Sequence, residues 1–448
     1  MHYQDTVPAD LEYSSRSEDL FRNGLRVFPD GTSRVTIERS PIPTYISHGE
    51  GAYLVDVDGK RLLDLNNNYT TLIHGHGFAP ITKAVVSQLE RGSCFANPTE
   101  HEIALADLLL RRIPAADRIR FVNSGTEAVM FAIKAARAFT GKPGIARIEG
   151  AYHGAYDWAE TGQAGTPSNW GTDENPLPVP LYRGVPETVA RDVTVLRFND
   201  IEGAQRRISE AADRLSCIVI DLMPSRAGLI EPSPEFLQML ESSARKYGIL
   251  ILADEVLNFR QGYHGASARF GLAPDLIALG KIIGGGFPIG AVAGREDVMQ
   301  VFGALNAKPA LPQGGTFSAN PISMLAGRAA MEAMTEAEFT RLENMGERVR
   351  FGLAAVIEAA DAAFSVTGAA SLFRIHPKVT APRQYREAFV DHQEALLMSR
   401  LSRHFFDHGI LLPNGAAACL STAMNDADID KVIRCFRDFV APENCKKN

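Results

Sequence analysis

Cysteine is sparse in this chain: five residues, Cys94, Cys217, Cys419, Cys435 and Cys445, are scattered, odd in number and without a CxxC pair. That spacing excludes a disulfide framework and a cysteine-based zinc site and fits reduced thiols. Long apolar runs are missing too, since no window approaches the ~20 apolar residues of a membrane span. The opening segment MHYQDTVPADLEYSSRSEDL lacks a basic region followed by an apolar one, so nothing marks it for secretion and a soluble, cytoplasmic protein is expected. Charge of one sign is lacking as well: 46 Lys plus Arg oppose 53 Asp plus Glu without long runs of either. This argues against nucleic-acid binding and towards a small-molecule partner. There is no internal repeat and no low-complexity tract.

What is present is an ordinary globular composition, 45% apolar and 22% charged over 448 residues, long enough for two or three packed units. From about residue 118, β-rich runs alternate with helical patterns: RIRFVNS, EAVMFAIKAARAFTG, GIARIEG, SCIVIDLM, FLQMLESSARKYG and ILILADEV. Such alternation predicts an α/β core with a buried, mainly parallel sheet and helices on both faces. Ligands of such sheets sit beyond the carboxyl ends of the strands. Residues 1–60 are irregular, with GEGAYLVDVDGKRLLDL reading as a hairpin around an Asp-Gly turn. We divide the chain into an N-terminal segment 1–60, a large unit 61–305 and a C-terminal α+β part 306–448. The last of these closes on a helix with Ile429, Val432, Ile433, Phe436, Phe439 and Val440 on one face. Residues 157–192, the longest aperiodic stretch, hold both tryptophans and read either as a cover over a site or as a surface excursion.

Three places carry chemistry. FVNSGTEA ends a strand in Ser124, Gly125 and Thr126 and opens a helix, so free backbone N–H groups, the helix dipole and two hydroxyls make an anion site that suits a phosphate. An ordinary helix cap reads the same way. ILILADEV ends in Asp254, a carboxylate that needs a cation or a protonated nitrogen where it is buried, or else a structural ion pair. LIALGKIIGGG places Lys281 after another apolar strand, where burial turns an amine into a nucleophile able to form a Schiff base with an aldehyde. The glycines that follow allow close approach. A phosphate cradle, a carboxylate for a ring nitrogen and a Schiff-base lysine together match the needs of pyridoxal 5'-phosphate (PLP). HGH at 74–76 has no obvious third ligand, and no metal is expected.

With these motifs, EGAYHGAYD (149–157) and QGGTFSANP (313–321), the chain from about residue 20 to 440 resembles the class III, fold type I aminotransferases. The resemblance is strongest to the branch of glutamate-1-semialdehyde aminomutase and the β-phenylalanine and D-phenylglycine aminotransferases. It implies a large domain with a mainly parallel seven-stranded sheet, a small α+β domain built from both terminal segments, and a homodimer with shared active sites. It places Ser124, Gly125 and Thr126 on the cofactor phosphate, Tyr152 on one ring face and Val256 on the other. Asp254 falls on the ring nitrogen, Lys281 on the Schiff base, and Thr316 on the phosphate of the neighbouring subunit. Without the motif, Tyr152 reads as a core aromatic and Thr316 as a turn residue.

For the substrate, Arg34 in FPDGTSRV falls where the family has an arginine that can pair with a carboxylate. NGAAACLS (414–421) lacks both the glutamate that the aminomutase pattern carries near Ala416 and the arginine that the amino-acid aminotransferases carry near Gly415. DEVLNFRQG is one residue shorter than the aminomutase pattern, and DLMPSRAG (221–228) keeps an acid at Asp221 but adds Arg226, either a substrate contact or a surface arginine. The expectation is an aminotransferase acting between an amino acid with a β-amino or bulky, aromatic side group and a keto acid. An aminomutase or a racemase using the same lysine is the alternative.

Overall fold

The computed structural model describes residues 15–38, 42–305, 308–415 and 417–441. Three short strands, β1 (Ile46–Glu50), β2 (Tyr53–Asp56) and β3 (Arg61–Asp64), form two successive hairpins. Seven more follow: β4 (Arg118–Val122), β5 (Gly144–Ile148), β6 (Val193–Leu196), β7 (Leu215–Ile220), β8 (Leu250–Asp254), β9 (Leu276–Gly280) and β10 (Gly290–Gly294). The C-terminal part adds β11 (Ser365–Thr367), β12 (Leu372–His376), β13 (Ile410–Leu411) and β14 (Ala418–Cys419).

β4 to β10 make one seven-stranded sheet in the order β4-β10-β9-β8-β7-β5-β6. Only β10 runs antiparallel to its neighbours β4 and β9; the other pairs are parallel. LSCIVI of β7 and LILAD of β8 are buried at every residue, as a sheet covered on both faces requires. The covering helices have local stop and start signals. Ser124 caps Gly125–Thr140, which ends in the left-handed Gly141; Ser233 caps Pro234–Tyr247, which ends in the left-handed Gly248.

Because β10 reverses the chain between β4 and β9, the carboxyl ends of β4, β9, β8, β7 and β5 all lie along one edge. Ser124, Lys281, Asp254, Asp221 and Tyr152 sit at or just beyond those ends. The second sheet, β1-β2-β3-β13, joins β3 to the C-terminal β13 in parallel, so the N-terminal sheet extends past residue 60 to Asp64. The third, β11-β12-β14, carries part of the NGAAACLS segment; Ala416 lies outside the described residues. Among the described residues no helix is long and apolar enough to cross a membrane.

Candidate active site

The start of the helix Gly125–Thr140 meets the end of β8 without space to spare. A Cβ added to Gly125 would stand 2.5 Å from Val256 Cγ1, and one on Gly280 would stand 3.1 Å from the same atom. Glycine at 125 and 280 therefore lets the ends of β4, β8 and β9 converge. Ser124 Oγ accepts from Glu127 N at 3.1 Å, so the helix-cap reading of Ser124 holds. The N–H groups of Gly125 and Thr126, in the first turn, have no intrahelical acceptor to reach. The EGAYHGAYD segment packs onto the same turn: Ala155 N donates to Thr126 Oγ1 at 3.4 Å, and a Cβ on Gly154 would lie 2.5 Å from that oxygen.

Asp254 is buried at the end of β8. One carboxylate oxygen accepts from Val256 N at 3.0 Å and the other pairs with His153 Nδ1 at 2.7 Å. Burial holds His153 below the usual imidazole value, against the pull of Asp254, and its Nε2 is buried without a hydrogen-bond partner among the described residues. Tyr152, next to it, keeps 53% of its surface exposed. The sequence points to Tyr152 and Asp254 separately; that His153 joins them, 101 residues away from Asp254 in the chain, has no local sign beyond its place in YHG.

Lys281 follows β9 in the left-handed region, φ +49°, a conformation that costs a side-chain-bearing residue roughly 1–2 kcal/mol and marks functional sites more often than chance. Its amine makes no hydrogen bond or ion pair among the described residues. Burial, the largest influence, holds it below the usual lysine value, while Asp254 and Asp221 pull the other way. Asp221 is itself pushed up to about 8, first by burial and then by the charge of Asp254; it accepts from Met223 N at 2.9 Å and from Asn258 Nδ2.

Arg34 is exposed, with its guanidinium 5.8 Å from the ring centre of Tyr69. Tyr69 belongs to a turn in which Asn67, Asn68, Tyr69 and Thr70 all have left-handed φ. Single Asn residues visit this region, whereas four consecutive residues need outside support. Asp64 Oδ1 accepts from Asn66 N and Asn67 N, each at 2.9 Å, and Asn67 Nδ2 reaches the Cys419 carbonyl at 3.2 Å. Tyr69 Oη then donates to Thr36 O at 2.7 Å, and Asn414 Nδ2 to Glu38 at 3.4 Å. The Arg34 segment and the uncharged 414–421 wall are thus brought together. Arg260, 1% exposed, ties this region to the large sheet by donating to Thr70 O at 3.0 Å, to Ser371 Oγ at 3.1 Å and to Leu420 O. Neither the left-handed turn nor Arg260 is apparent in the sequence, apart from the run NNNYT.

Thr316 is exposed, in a turn that follows Gly315; a Cβ on Gly315 would lie 3.3 Å from Asn123 Nδ2, one residue before Ser124. The loop 157–192 is pinned by Arg386, whose guanidinium grips Glu149 at 2.9 Å through two nitrogens and donates to Trp170 O and Gly171 O. Trp170 sets its ring edge-on to Tyr385 and Phe389. His74 and His76 are committed elsewhere. His74 bonds Thr422 Oγ1 and Ala330 O, and His76 pairs with Asp64 at 2.8 Å.

Comparison with known proteins agrees with this geometry. Residues 35–423 match the family described as Aminotransferase class-III. The chain is 34% identical over 435 residues to a glutamate-1-semialdehyde 2,1-aminomutase of Methanothermobacter thermautotrophicus, covering 95% of this chain and 99% of that one. Among solved structures it is similar to an omega-transaminase from Sphaerobacter thermophilus, with 45% identity, TM-score 0.92 and coverage of 96% and 98% of the two chains. It is also similar to a transaminase with PLP bound, at 36% identity, TM-score 0.88 and coverage of 97% and 99%.

Proposed function

The chain belongs to the class III aminotransferases, and from that premise we propose that it transfers an amino group between two separate molecules. The donor in this reading is an amino acid with a β-amino or bulky, aromatic side group, and the acceptor is a keto acid. The fold is that of the fold type I transaminases and the cofactor is pyridoxal 5'-phosphate. The residues present fit that group: a half-buried lysine whose amine has no hydrogen bond or ion pair among the described residues, a buried carboxylate at the next strand end, and a long helix whose first turn faces the same edge. When bound, the cofactor supplies an electron-accepting ring and carries the amino group between the two half-reactions.

Ser124, Gly125 and Thr126 would hold its phosphate, and Tyr152 and Val256 its ring faces. Asp254, fixed by Val256 N and His153, would hold a proton on the ring nitrogen. Lys281 would supply the amine that meets the aldehyde; burial lowers its proton affinity, so Nζ is available as a nucleophile and then as a proton carrier. Thr316 would reach the phosphate of a second copy, which makes the working unit a homodimer. Arg34 would meet a substrate carboxylate.

The observation that carries transfer between molecules is the 414–421 wall. Its segment has no charged side chain, so it offers no ionic tether for a retained intermediate. The similarity to an omega-transaminase supports the same reading. The similarity to an aminomutase over nearly the whole chain favours the second, intramolecular reading. Adding β-, α- and ω-amines singly to the holoenzyme, then a keto acid, separates them. Loss of the aldehyde-form absorbance with amine and its return with keto acid is expected. An isomerised product formed from one substrate alone would overturn the proposal in favour of a mutase.

A further inference from the structure

The loop after β7, DLMPSRAG, departs from the family pattern at Arg226, and the structure gives that residue a fixed backbone and an uncommitted side chain. Ala227 N and Leu229 N fold back onto Pro224 O at 3.1 and 3.0 Å. The C-terminal sheet then holds the loop from outside. Ala417 N donates to Ser225 Oγ at 3.0 Å, Thr367 Oγ1 to Gly228 O at 2.6 Å, and the Arg374 guanidinium to the carbonyls of Ser225 and Arg226. The Arg226 side chain, by contrast, is exposed, and its guanidinium engages no acceptor among the described residues.

Positive charge gathers here on guanidinium groups held by backbone carbonyls. Arg374 is buried, is held by carbonyls rather than a carboxylate, and lies at about 10, lowered first by burial and then by Arg226. Arg147 is 0% exposed and donates only to the carbonyls of Ile148, Ala151 and Ala159, the last two flanking Tyr152 and the YHG turn. The charge of Arg226 also acts on Arg147 and Tyr152, with Asp254 and Glu160 acting on both from the opposite sense. Arg374 makes no ion pair with an acid among the described residues. Guanidinium groups brought together in a partly desolvated place, beside a wall with no charged side chain, are stabilised by an anion from outside. A planar guanidinium with free donors suits a carboxylate through two parallel hydrogen bonds.

We propose that Arg226, in the loop at the carboxyl end of β7 that Ala417 and Arg374 hold in place, forms a carboxylate subsite and so selects carboxylate-bearing reactants over simple amines and aldehydes. This rests on the aminotransferase reading above. It assigns to Arg226 the carboxylate recognition that the uncharged residues at 414–421 do not provide.

The test uses the holoenzyme and the variants Arg226→Gln and Arg226→Lys, which replace an exposed side chain without an internal partner. Calorimetry with two non-reacting carboxylates, glutarate and 3-phenylpropanoate, should show binding about ten- to a hundredfold weaker in Arg226→Gln, the worth of a charge-assisted hydrogen bond, and an intermediate loss in Arg226→Lys. KM values are then compared for 3-amino-3-phenylpropanoate against 1-phenylethylamine, and for pyruvate against propanal. A rise of KM at least tenfold larger for the acid of either pair supports the subsite and identifies whether donor or acceptor supplies the carboxylate. Equal effects within both pairs, or unchanged calorimetric affinity in Arg226→Gln, would overturn it. If the wild-type protein exchanges no amino group with any amine, the aminotransferase reading fails, and calorimetry still decides the role of Arg226.

Discussion

Replacing Gly125 by alanine tests whether the meeting of β4, β8 and β9 shapes the site. The new Cβ would lie 2.5 Å from Val256 Cγ1, 3.0 Å from Cγ2 and 3.3 Å from Cβ. No real Cβ persists at the first of these distances, so Val256 must move, and a second close neighbour at Gly280 restricts where it can go. Gly125 is not in the left-handed region and opens a helix, where alanine would otherwise add up to about 1 kcal/mol. Overpacking of this size costs ~1–3 kcal/mol, so a net loss of ~1–2 kcal/mol is expected in urea unfolding of the cofactor-free protein. Since Val256 would be pushed into the space we assign to the cofactor ring, cofactor affinity should fall about tenfold for each 1.4 kcal/mol, read by absorbance titration. Val256→Ala removes both γ-carbons and with them the clash. The double variant should therefore be at least ~1 kcal/mol more stable than the sum of the single effects. A neutral Gly125→Ala, or additivity within about 0.5 kcal/mol, would refute the packing argument.

Three further outcomes are expected. Borohydride reduction of the holoenzyme should fix the cofactor to the peptide containing Lys281 by mass spectrometry, and Lys281→Ala should leave it removable by dialysis; attachment at another lysine would refute the assignment. Arg260→Leu leaves three buried acceptors without their donor, each worth ~1–3 kcal/mol, so a loss of at least about 3 kcal/mol is expected, and a loss under 1 kcal/mol would show that Arg260 does not tie the segments together. Asp221 keeps its proton up to about 8 in the folded chain but loses it near 4 when unfolded. Its contribution to stability is therefore full below ~4 and falls as pH rises towards 8, by at most ~1.4 kcal/mol per pH unit. Urea midpoints of the cofactor-free protein at pH 5.5 and 7.5 should show a flatter slope in Asp221→Asn, and an identical slope would count against a protonated Asp221.

The α/β core and its cofactor chemistry were legible because each rests on a short stretch: an apolar run that must be buried, ended by a group that burial makes costly. ILILADEV and LIALGK each pair such a run with Asp or Lys, RIRFVNSGT opens a helix at its Ser after a half-exposed strand, and the seven-stranded sheet places all three endings on one edge. The pairing of β3 with β13, Ile410 beside Leu63 in parallel, was not legible, because it leaves no trace in either segment.

By itself, then, the sequence determined which side chains are expensive to bury and where they follow a strand, and that was enough to imply the fold class and the cofactor. Only the tertiary structure decided which of them touch. It set His153 on Asp254, turned Asn67 to Thr70 left-handed under the Arg34 segment, closed Arg260 around three carbonyl and hydroxyl acceptors from distant segments, and left Arg226 exposed with no acceptor among the described residues. Those pairings depend on long-range closure, where one residue finds its partner a hundred or more positions away, and no local periodicity records it.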